Sequence, residues 1–136
     1  MNIYDHATKA LDQLLANAPD IASKARGLMH KSRALLGNQK FVEADAIAQE
    51  ALQIVKDGKL QAQLLILEGD IFYAEGESFE KDGQAQAAVS KWMEAAGKFI
   101  VPSQMFVDPE ITPEALYKAA RALNRDGEKQ KAQALR

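Results

Sequence analysis

Gly83-Gln84-Ala85-Gln86-Ala87-Ala88-Val89-Ser90-Lys91-Trp92-Met93-Glu94-Ala95 carries the spacing that decides the fold. Ala85, Ala88, Trp92 and Ala95 follow one another at steps of three and four, which place them on one side of a helix; a strand would need alternation in steps of two. The same pattern stands upstream as Phe41-x-x-Ala44-x-x-x-Ala48-x-x-Ala51, and its beginning stands downstream as Lys129-x-x-Ala132-x-x-x-Arg136. Ala44, Ala88 and Ala132 therefore recur every 44 residues. A fixed period of this size is the mark of a chain built from stacked supersecondary units.

Turn signals divide the rest of the chain into helical blocks. Ala18-Pro19-Asp20 closes a first block over about residues 2–17, because proline drives the residue before it out of the helical region. Gly37-Asn38 closes a second, about 20–36; Asp57-Gly58 a third, about 40–56; and Asp82-Gly83 a long fourth, about 59–81. The fifth covers about 84–99. Thr112-Pro113 opens a sixth, with threonine as N-cap and proline at the first helical position. Asp126-Gly127 ends it, and a seventh runs to Arg136. The first members of each pair align too: Leu28-x-x-x-Ser32-x-x-Leu35, Leu65-x-x-x-Gly69-x-x-Phe72 and Leu116-x-x-x-Ala120-x-x-Leu123. A small residue recurs at the centre, where two helices approach closely.

The connection between Gly97 and Thr112 holds two prolines, Pro102 and Pro109, yet it is rich in Phe99, Ile100, Val101, Met105, Phe106, Val107 and Ile111. Its start reads as the end of the fifth helix and the remainder as a loop packed on the domain; the alternative is a lid or a partner anchor.

This arrangement resembles the tetratricopeptide repeat, in which a helix with a large apolar residue, a small residue and an aromatic is followed by a helix with alanine and a further aromatic. Ala7-x-x-x-Leu11-x-x-Leu14 followed by Pro19 is similar to a lone second helix of that family. The resemblance covers nearly the whole chain as one domain, a half repeat at about 2–19 and repeats at about 25–58, 62–99 and 113–136. It departs from the family in period, about 34 residues there, and in Ala48 and Arg136, which stand where the family has an aromatic. Asp108-Pro109-Glu110-Ile111-Thr112-Pro113 also looks like bacterial proteins of this class involved in envelope assembly. The implied fold is all-α, a right-handed superhelical stack of antiparallel helix pairs, an α-solenoid of about seven helices.

In that family the first helices of the repeats line a concave face. Carried over by position, the resemblance implies a partner-binding groove containing Met29, Arg33, Ile66, Asp70, Tyr73, Tyr117 and Arg121. Arg33, Tyr73, Tyr117 and Arg121 are expected to be at least partly open and to face one concavity. Tyrosine and arginine are frequent interface anchors, and this set suits an extended segment carrying acidic and hydrophobic residues. The family's clamp for a terminal carboxylate is not matched, since Met29, Arg33, Leu67, Glu114 and Lys118 stand at its positions and the asparagines are missing.

Composition narrows the function classes. The net charge of −2 lacks the basic excess with which nucleic-acid binders meet phosphate, so no nucleic-acid partner is expected. With no cysteine there is no disulfide, thiolate nucleophile or cysteine zinc site. His6 and His30 fall outside any metal-binding spacing, and no phosphate loop or nucleophile elbow is present. The acidic group Glu68, Asp70, Glu75, Glu77, Glu80 and Asp82 lacks calcium-loop spacing and reads as a solvated helix face. No catalytic residue, metal or cofactor is expected. The N-terminal residues do not read as a signal peptide and no stretch is apolar for long enough to span a membrane, so the expectation is a cytoplasmic protein, or a periplasmic one whose targeting segment has been removed.

Three functions fit: a non-catalytic scaffold for a protein or peptide partner, a structural piece of a longer repeat protein or homo-oligomer, and an enzyme or small-ligand domain using the same groove. The helix beginning at Ala132 and Leu135 is left incomplete, and terminal repeats need a polar cap; open repeat ends suggest a further segment or a second copy.

Overall fold

The computed structural model describes residues 2–16, 20–105 and 111–134, with side chains described as far as Arg125 apart from those at 103 and 105. All regular structure among them is helical: α1 (Ile3–Ala16), α2 (Ile21–Gly37), α3 (Phe41–Ile54), α4 (Gly58–Lys81), α5 (Ala85–Met105) and α6 (Ile111–Ala134). The chain forms two compact units, residues 1–67 and 68–136, and α4 runs from the first into the second.

In the first unit α1 packs on α2 and α2 on α3. Asp20 caps α2 by accepting the Ser23 backbone N–H at 2.7 Å. The helix ends in a left-handed cap: Gln39 has φ 60°, its N–H donates to the Leu36 carbonyl and the Lys40 N–H to that of Leu35, both at 2.9 Å. Ala44, Ala48 and Ala51 are fully buried. Their small side chains let α3 press on α2, where the buried Ser32 hydroxyl donates to the Ala44 carbonyl at 2.7 Å. Leu28 and Leu35 are buried on either side of that serine.

In the second unit α5 packs on α6, and the buried side chains described on α5 are Ala88, Trp92, Ala95, Ala96, Phe99 and Pro102. Two glycines of α4 make room for the large ones. A methyl group at Gly69 would run into the Phe99 ring, and one at Gly76 into the Trp92 indole. Ala88, Trp92 and Ala95 are thus buried like Ala44, Ala48 and Ala51 in the first unit, position for position along the repeat.

Two expectations are corrected. The fifth helix does not stop near residue 99; it continues to Met105 with Pro102 inside it. A proline in a helix interior loses one hydrogen bond and costs about 3 kcal/mol, but here its ring and Phe99 are both fully buried. Nor does Asp126-Gly127 end the sixth helix: α6 is continuous to Ala134, so the expected sixth and seventh helices are one and the described residues hold six. A single glycine costs a helix only about 1 kcal/mol, too little to stop a segment rich in Ala, Leu, Arg, Lys and Gln. Thr112-Pro113 lies in the first turn of α6, where a missing N–H is harmless. The expected Pro19 turn, residues 106–110 of the connection and Leu135 lie outside the described residues.

Candidate functional site

Helical spacing builds a charged seam in the second unit. On α4, Asp70, Tyr73, Glu77 and Glu80 fall on one side at steps of three and four; on α6, Lys118, Arg121 and Arg125 do the same. The two rows meet. Lys118 Nζ donates to both Asp70 oxygens at 2.9 Å and lies 3.2 Å from Glu114. Arg125 donates to Glu80 at 2.9 Å and to the Tyr73 hydroxyl at 3.1 Å, with Glu77 at 4.0 Å. The Arg125 guanidinium also lies 4.5 Å from the centre of the Trp92 ring. Between these two cations, Arg121 stacks on Tyr73, its guanidinium carbon 4.3 Å from the ring centre.

This seam corrects the reading of the acidic α4 residues as a solvated face. Asp70 and Glu80 are partly buried by their partners on α6, and Glu68 is buried, with Lys98 Nζ 3.3 Å from its carboxylate. Burial pushes the Asp70 carboxyl above its ordinary value, against the opposing hydrogen bond and charge of Lys118 and the charge of Arg121.

The seven expected groove residues divide between the units. Met29, Arg33 and Ile66 belong to the first, where Met29 and Ile66 are buried core and Arg33 is exposed. Asp70, Tyr73, Tyr117 and Arg121 belong to the second. There Asp70 is held by Lys118, and Tyr73 is only 6% exposed, beneath Arg121 and close to Arg125. Tyr73 is therefore a buried support where an open side chain was expected. Tyr117 is 67% exposed, and Arg121, one turn further along α6, is exposed as well. Among the described residues Arg121 makes no close ion pair; its guanidinium lies over the Tyr73 ring, and its charge acts on Asp70 from further away. Arg125 was missed as an organising residue; its place four residues beyond Arg121, matching the acidic spacing of α4, was the available signal.

Among the pockets lined by described residues of the first unit are two open ones. One, of about 320 Å³, is lined by Asp5, Lys31, Lys40 and Glu43 over Leu35 and Ile47. Its lysines already have acidic neighbours: Lys31 meets Asp12 at 2.7 Å and Lys40 meets Asp5 at 3.9 Å. The other, of about 530 Å³, is walled by Ile21, Val55 and Leu60. His6 and His30 are exposed, and no group of three or more potential metal ligands occurs among the described residues. No helix among them is long and apolar enough to cross a membrane. Comparisons of the chain with protein-family models, with curated proteins and with solved structures find no match.

Proposed function

We propose that the chain is a non-catalytic interaction module, a tetratricopeptide-like α-solenoid that binds an acidic, partly apolar segment of another protein through Tyr117 and Arg121 of α6. The observation that carries this reading is Arg121 itself. Its guanidinium lies over the Tyr73 ring, and within the described residues it makes no close ion pair, unlike Lys118 and Arg125 on either side. A guanidinium fixed before binding loses little freedom when it takes a carboxylate, and its planar fork suits two parallel hydrogen bonds. Tyr117 offers a large exposed ring with a polar tip one turn away. The repeat-like helix pairs are supported by the matching burial of Ala44 and Ala88, Ala48 and Trp92, and Ala51 and Ala95.

The test is affinity capture from the source cells with the full chain as bait, followed by direct titration of the captured partner. Arg121→Ala and Tyr117→Ala should each weaken binding by about 1 kcal/mol or more while leaving helicity unchanged. Because Arg121 answers a carboxylate, Arg121→Glu should weaken binding further, and added salt should weaken the parent. Binding that ignores all three substitutions would remove this surface from the function.

A further inference from the structure

None of the 14 residues of α1 is buried. The helix lies antiparallel on α2, with Tyr4 over Gly37 and Leu15 over Gly27; a methyl group at Gly37 would run into the Tyr4 ring, and one at Gly27 would crowd Leu15. The remaining ties are polar and open to water. Asp12 meets Lys31 at 2.7 Å and Asp5 meets Lys40 at 3.9 Å. The Asn38 amide donates to Asp5 at 3.2 Å and accepts from Asn2 at 2.6 Å. On the flank toward α3 opens the cavity of about 320 Å³, with Asp5 and Thr8 on one side and Glu43, Ala46 and Ile47 on the other.

α2 and α3 hold each other by different means. Leu28, Leu35, Ala44, Ala48 and Ala51 are buried, and the Ser32 hydroxyl is bonded inside the pair. A helix as short as α1 is marginal by itself, and half-exposed ion pairs add little to it. Local opening is easiest where few apolar groups are buried, so α1 opens before the α2–α3 pair does. Its departure takes Asp12 from Lys31 and Asp5 from Lys40, and leaves both lysines beside Leu35 and Ile47; Glu43 stays behind on α3. Asp5 and Asp12 lie two turns apart on one side of α1. They meet the lysines as the acids of a bound helical ligand would.

We infer that α1 is an autoinhibitory helix: as a built-in ligand it occupies a groove on α2, between Gly27 and Gly37, that receives an acidic amphipathic helix of another protein. The chemistry of that partner is read from α1 itself. An aromatic ring and a leucine at its two ends meet the two glycines, and carboxylates two turns apart meet Lys31 and Lys40. The groove lies in the first unit and does not rest on the role of Tyr117 and Arg121.

Hydrogen exchange of the full chain should show the α1 amides opening about tenfold or more often than those of Ala44 and Ala48, which stay protected meanwhile. Tyr4→Asp with Leu15→Asp should release α1 and leave the protection of α2 and α3 in place. A fluorescent peptide of residues 2–16 is the probe for the groove. It should bind that double variant about tenfold or more tightly than the parent, whose own α1 competes with it. Lys31→Asp added to the variant should weaken the peptide, and Asp12→Lys in the peptide should restore its binding. Exchange of α1 only in step with α2 and α3 in the parent overturns the inference. So does a variant that binds the peptide no better than the parent, or a charge exchange that rescues nothing. A variant that loses protection in α2 and α3 as well would show α1 to be part of their core, and would overturn it equally.

Discussion

The Trp92 indole lies against the backbone of Gly76, leaving no room for a methyl group at that position of α4. Trp92 is fully buried and meets Tyr73 at 6.4 Å between ring centres, while the face of Phe72 carries Lys91 Nζ at 5.2 Å. The pair explains why a glycine persists inside a 24-residue helix: the close approach it allows outweighs a helix-propensity loss of about 1 kcal/mol.

A double-mutant cycle reads this directly. Trp92→Ala should cost about 3–5 kcal/mol, as for other large aromatic truncations in cores. Gly76→Ala alone should cost about 1–3 kcal/mol by overpacking. In the Trp92→Ala background the same Gly76→Ala change should become stabilising, because the clash is gone and alanine is the better helix former. Urea unfolding of the four proteins provides the measurement; additive effects would mean that the two residues do not touch.

Asp20 and Asp70 should give the fold opposite pH dependences. The Ser23 backbone N–H, and then its hydroxyl, hold the Asp20 carboxyl below its ordinary value. Its contribution is present above the ordinary carboxylate range and is lost as pH falls through the lowered value. Burial raises the Asp70 carboxyl, so the folded state holds that proton more tightly; its contribution is present at low pH and is lost as pH rises through the raised value. The stability difference between parent and Asp20→Asn should therefore grow with rising pH, and that between parent and Asp70→Asn should shrink. Melting temperatures from about pH 3 to pH 7, the range that spans carboxylate titration, decide the matter. Two differences of the same slope would contradict the assignment.

Gln39 occupies a conformation that suits glycine. With φ 60° at the end of α2, its Cβ crowds the backbone. Gln39→Gly should raise stability by about 0.5–1 kcal/mol, whereas Gln39→Val should lower it because a β-branched residue tolerates that region worst. A glycine variant no more stable than the parent would argue that this cap forms differently in solution.

Helical spacing and turn residues determined the all-α class and the limits of α2, α3 and α4 to within one or two residues, and they placed Ala44 with Ala48, and Ala88 with Trp92 and Ala95, on the helix sides that are fully buried. Those features follow from periodicity and from strong local turn chemistry at Asp57-Gly58 and Asp82-Gly83, which a linear sequence displays. Tertiary structure decided which of the two apolar stripes of α6 is packed. Leu116-Ala120-Leu123 and Ile111-Ala115-Ala119-Ala122 have the same helical spacing, and only the position of α5 and the seam from Asp70 to Lys118 turns the second inward. It also decided that Tyr73 is a covered support and Arg121 an open one, because both lie on faces the repeat pattern marks as groove. Local signals failed at Pro102 and Gly127 for a related reason: a penalty of about 1–3 kcal/mol bends to the packing and helix-forming neighbours of α5 and α6, and a sequence shows the penalty without what offsets it.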